Sequence, residues 1–116
     1  MKKRIFQSDR RFQVWQYTVS HGQLLIRSTK EGGHETQVDV LFKNVRALNI
    51  PVTFDGLAIE RDQSMGGDSF DVSGEKWAGT IIAGAVAWDE TSAEHFEESR
   101  LLSLSQPPAA RGRPEP

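Results

Sequence analysis

Residues 62–77 gather the densest set of groups able to do chemistry in this 116-residue chain. Asp68, Asp71 and Glu75 are carboxylates close together in sequence, and Glu90 follows beyond Trp77. Paired carboxylates can share general acid and base work when their environments push their pKa values apart. With 16 acidic residues in so short a chain, however, such proximity arises without function. His21, His34 and His95 match no metal-ligand spacing, and His21 occupies a turn. No serine sits in a Gly-x-Ser-x-Gly elbow, and no phosphate-binding or dinucleotide-binding loop is present. The absence of cysteine excludes disulfides, thiolate zinc sites and cysteine nucleophiles. No catalytic residue, cofactor or metal is therefore expected. Recognition chemistry is what remains, and Asp68, Phe70, Asp71, Glu75 and Trp77 form the expected interaction surface, with Trp77 its main anchor.

Gly66-Gly67-Asp68-Ser69-Phe70-Asp71-Val72 resembles the calcium-binding nonapeptide of repeat β-helices, with Ser69 in place of a glycine. Those repeats hold calcium between stacked copies, and this chain has one copy, so a surface loop is the expectation. Asp62, Asp68 and Asp71 also lack the spacing of an EF-hand loop. A net charge of −2 lacks the clustered basic surface that general nucleic-acid affinity requires. Met1-Lys-Lys-Arg resembles the start of a secretory signal, but a polar stretch follows where an apolar region would be needed. No run approaches the roughly 18 apolar residues of a membrane span. Mean hydropathy is −0.50. A soluble cytoplasmic protein, without nucleic-acid or membrane partners, is expected.

Alternating strands must position these groups. His21-Gly22 separates apolar runs at 12–20 and 23–29, and Asp55-Gly56 separates 48–54 from 57–61. An X-Gly pair between alternating runs signals a two-residue hairpin turn. Across the first turn this register sets Val19 opposite Leu24, Tyr17 opposite Ile26 and Trp15 opposite Ser28, placing Trp15 and Tyr17 on the buried face. Across the second it sets Phe54 opposite Leu57 and Val52 opposite Ile59. A strand over 36–42 points Val38, Val40 and Phe42 to one face and Asp39 and Leu41 to the other. Lys43-Asn44 forms a tight turn into 45–50. A short strand covers 69–73, and 77–88 reads as a strand buried on both faces, since Gly79 and Gly84 disfavour a helix.

Ile5-Phe6 adds a short edge strand after loose first residues, and Pro51, Arg61 and the charged loop blunt one sheet edge. Thr91-Ser-Ala-Glu94 is a capping box opening a C-terminal helix whose stripe carries Ala93, Phe96, Leu101 and Leu104. Four of the five prolines fall in the last ten residues, so 105–116 is expected to be disordered.

One domain over 1–104 follows: a mainly β, antiparallel β-roll or sandwich of about six or seven strands with one C-terminal α-helix. This element order is similar to the pleckstrin-homology-like architecture, with a plain β-sandwich as the alternative. The rhythm from Val38 through Phe42, Val45 and Leu48 to Ile59 also looks like that of small bacterial β-proteins. Element order carries no function. The expected role is a non-catalytic binding or protein-interaction module, with a homodimer through a sheet edge as one form. The alternatives are a small-ligand-binding protein or hydrolase, and an immunity-like or antitoxin-like partner of a basic effector.

Overall fold

A computed structural model describes residues 2–30, 33–62, 69–92 and 101. The protein is mainly β. Its strands are β1 (Lys2–Thr18), β2 (Gln23–Ser28), β3 (Gln37–Lys43), β4 (Ala47–Asn49), β5 (Thr53–Asp62), β6 (Ser69–Gly74), β7 (Trp77–Ile82) and β8 (Ala85–Thr91). All pair antiparallel in one eight-stranded sheet of order β4-β7-β6-β5-β1-β2-β3-β8.

The end strands of this order are β4 and β8, and the chain brings the two ends together. Only Asn44, Val45 and Arg46 separate β3 from β4, and only Ala83 and Gly84 separate β7 from β8. Arg46 N–H donates to Ile82 O at 2.8 Å and Gly84 N–H to Lys43 O at 2.9 Å, carrying the ladder across both bends. The sheet therefore curls around its apolar face. Phe42 of β3 meets Phe70 of β6 across the interior at 5.5 Å between ring centroids, and Phe6 of β1 meets Trp88 of β8 at 5.3 Å. Val38, Val40 and Phe42 enter this core, as their alternation requires.

The outer face of β2, β3 and β8 is buried as well. Leu25, Leu41 and Ala87 form a second cluster with Leu101, and Trp15 packs against it. Beside them Arg27 Nε donates to Asp39 Oδ1 at 2.7 Å, with both side chains fully buried. Trp15 lies over that guanidinium at 4.8 Å. The 36–42 strand thus has the predicted faces, but the Asp39 face is also closed to water.

The first turn is longer than a two-residue hairpin. Val19–His21 forms a 3-10 turn ended by Gly22 in the left-handed region, and Tyr17 pairs with Leu24. A bulge between Val14 and Gln16 then turns Trp15 to the outer face. Tyr17 is 44% exposed and Trp15 packs on the second cluster, so neither aromatic belongs to the main core.

The second hairpin does not form. Asp55 and Gly56 lie inside β5, which runs unbroken from Thr53 to Asp62. Gly56 has the positive φ that Asp-Gly predicts, +82°, but uses it in a bulge where the β1 register shifts between Ser8 and Arg11. The N-terminal residues are likewise not a loose end with a short edge strand: β1 has 17 residues and lies between β5 and β2. Its length follows from having β5 along its first part and β2 along its last.

Arg61 is interior to the sheet, paired with Lys3 and Phe70, and so blunts no edge; Pro51 lies in the β4–β5 link. Asn44, at φ 58°, bends the chain between β3 and β4 as the Lys43-Asn44 reading implied, although these strands do not pair. The 77–88 segment is strand as expected, broken in two at Ala83-Gly84, but it is not buried on both faces, since Ala78 and Thr80 of β7 are exposed. No α-helix occurs among the described residues. Thr91, the expected cap, ends β8, and 93–100 and 102–104 of the expected helix lie outside the described residues, as does 105–116.

Candidate functional site

The hairpin joining β6 to β7 positions the site. Gly74 pairs with Trp77 across the two-residue turn Glu75-Lys76. Glu75 N–H donates to Asp55 O at 2.9 Å, fixing the hairpin tip to β5 next to Gly56. The approach is close enough to require glycine at 74. A Cβ there would sit 2.5 Å from the carbonyl oxygens of Asp55 and Gly56 and 2.0 Å from Trp77 Nε1.

Trp77 continues an aromatic series that begins in the core. Phe12 stacks on Phe54 at 6.2 Å, and Phe54 meets Trp77 at 4.4 Å with a 46° tilt. Phe54 is buried and Trp77 half-buried. The Trp77 Nε1–H is enclosed and has no acceptor among the described residues. Around the two rings lies a cleft of about 330 Å³ whose wall includes Pro51 and whose rim carries Asp55, Glu75 and Lys76. Next to Pro51, Val52 is 72% exposed. A half-open indole beside exposed proline surface, with both charge signs at the rim, can bind an extended apolar segment and orient it through ion pairs.

Of the predicted surface residues, the structure brings Glu75 and Trp77 together. Phe70 is wholly buried against Phe42, with the Arg61 guanidinium 5.4 Å from its ring, so it cannot serve as a contact surface. Its alternation partner Val72 shares the core, which marks 69–73 as an amphipathic strand. Asp71 points out of β6 and pairs with Lys2 at 2.6 Å. The Asp71 hydrogen bond and charge raise the Lys2 pKa above the ordinary lysine value. Asp68 lies outside the described residues. Phe54 and Pro51 were missed as site residues because Asp55-Gly56 read as a turn, which assigned Phe54 to hairpin packing. The signal that was available is Pro51-Val52, an apolar pair at a proline that leaves no room in a central strand.

Other hollows have mainly polar walls. One of about 390 Å³ lies between Phe12, Ser28, Thr29, His34 and Thr53; another of about 480 Å³ lies between Arg4, Ser8, Asp9, Asp55 and Glu75. Some polar groups there serve the sheet, as in Arg4 to Glu60 at 2.9 Å and Arg11 to Asp55 at 3.4 Å. Between β1 and β8, Arg10 is a strut: it donates to Ser28 Oγ at 3.1 Å, Thr36 Oγ1 at 3.2 Å and Thr29 O at 3.1 Å, and also to Thr36 O. Thr36 Oγ1 in turn donates to Glu90 at 2.6 Å. Among the described residues no three His, Asp or Glu side chains converge on a point that could hold a metal ion. No described helix is long and apolar enough to cross a membrane. Neither a protein-family model, nor a curated protein, nor a solved structure matches the chain.

Proposed function

We propose that the protein is a non-catalytic interaction module that grips a protein partner at the Trp77 cleft. The observation that carries this reading is the aromatic step Phe54–Trp77 emerging beside exposed Pro51 on a hairpin tip that is already fixed by its bond to Asp55. Tryptophan in a well-supported apolar pocket is the side chain that most often dominates interface energies. A preformed tip also avoids the cost of ordering a loop on binding.

A photo-crosslinking residue at position 52, introduced in the cells that make the protein, tests the reading. A discrete adduct with another protein is expected there, lost on Trp77→Ala, and absent when the same residue replaces exposed Lys3 on β1. Equal adducts at positions 52 and 3, or none at 52, would overturn it.

A further inference from the structure

We propose that the hollow where β1 and β2 part is a second binding site, one that takes the phosphate group of a small polar metabolite. It stands apart from the interaction reading, since Trp77 and Pro51 do not line it. Pairing between β1 and β2 begins at Gln13 opposite Arg27. On the N-terminal side of Gln13, β1 stays with β5, with Arg11 opposite Asp55 and Gln13 opposite Thr53. Past Arg27, Ser28 of β2 stays with Val38 of β3. The hollow of about 390 Å³ includes Arg11, Gln13, Ser28, Thr29, His34 and Thr53 in its wall. That size lies within the range of small-molecule sites and exceeds a bare phosphate, which leaves room for a polar organic portion.

The wall offers many donors and no carboxylate. Gln13, His34 and Thr53 make no side-chain hydrogen bond among the described residues. The Arg11 guanidinium makes one, to Asp55 at 3.4 Å, and its other N–H groups remain to donate. Ser28 and Thr29 are buried. Arg10 holds them from behind, donating to Ser28 Oγ at 3.1 Å and to Thr29 O at 3.1 Å. Ser28 Oγ is an acceptor there, so its hydroxyl proton is left for a ligand. A neutral ligand rich in hydroxyls would need acceptors from the wall, and arginine supplies only donors. Arg11 alone could satisfy a carboxylate through its planar fork. The three oxygens of a phosphate group can use Arg11, His34 and the hydroxyls together.

NMR of the full chain decides this, under titration with inorganic phosphate or glycerol phosphate at an ionic strength held with sodium chloride. The Gln13 and Thr53 amides, the Arg11 guanidinium and the His34 ring are expected to shift together and saturate, while the Lys3 amide stays. Arg11→Gln and His34→Ala should each weaken binding about tenfold. Gln13→Glu, which sets a carboxylate in the wall, should abolish it, and Lys3→Ala should leave it unchanged. An otherwise unaltered amide spectrum of each variant shows that the sheet is intact. Acetate at the same concentration should produce no saturable shift. The site is overturned if neither phosphate gives a saturable shift, or if Lys3→Ala weakens binding as much as Arg11→Gln. Acetate binding as tightly as phosphate would overturn the phosphate assignment. The cross-link at position 52 judges the Trp77 reading separately.

Discussion

Gly74 and the pair Arg27–Asp39 show how much rests on single side chains here. At Gly74 a methyl group has no room, because two carbonyl oxygens and the Trp77 indole already occupy its position. Gly74→Ala should cost about 1–3 kcal/mol in denaturant unfolding. It should also alter Trp77 fluorescence, since the hairpin tip must back away from β5. The buried pair behaves differently. Arg27→Met leaves Asp39 as an uncompensated charge in the closed outer face and should cost about 3–5 kcal/mol. Arg27→Met/Asp39→Leu should recover most of that loss, because burying a matched pair gains little over apolar packing. A double variant as unstable as the single one would contradict this account. At the surface, Lys2 should titrate above the ordinary lysine value by NMR, and Asp71→Asn should bring it back. The sign follows from the raised pKa: the Lys2–Asp71 contribution is present in full below the unfolded-state value and fades as pH rises through the folded one.

At the scale of elements, bulges explain where alternation misled. Asp55-Gly56 correctly signalled a positive φ, and His21-Gly22 correctly signalled a chain reversal. Positive φ serves a bulge as well as a turn, and local sequence does not distinguish them. What distinguishes them is β1, which pairs on both sides of Gly56 with a register shift between Ser8 and Arg11 and so keeps Asp55-Gly56 within a strand. Gly56→Ala should therefore destabilise by about 1–3 kcal/mol, from strain in the left-handed region, without changing strand order. Hydrogen exchange would check this: protection should weaken around 55–57 and 74–75 first, because the Glu75–Asp55 bond joins those segments. The bulge at Trp15 has the opposite effect on reading. It moves one large aromatic from the expected core face onto Arg27, while Tyr17 pairs with Leu24 in place of Ile26 and is 44% exposed.

Over the whole molecule, one sheet buries two apolar surfaces, an enclosed one inside the curl and a smaller one outside β2, β3 and β8. Leu101 belongs to the smaller, and Leu101→Ala should cost about 2–5 kcal/mol in thermal or urea unfolding, with faster exchange concentrated in those three strands. A loss spread evenly over the sheet would show that the outer cluster is not a separate unit. The sequence by itself determined the mainly β, antiparallel class, the short strand over 69–73, the strand character of 77–88 and the faces of β3. These depend on period and on local backbone preference, which neighbours in sequence carry. The tertiary structure alone decided that β1 is a long central strand, that Phe70 is core, that the sheet ends meet, and that Phe54 and Pro51 come to Trp77. Each of these depends on pairing between residues far apart in sequence, where the curl of the whole sheet, and no local pattern, selects the partner.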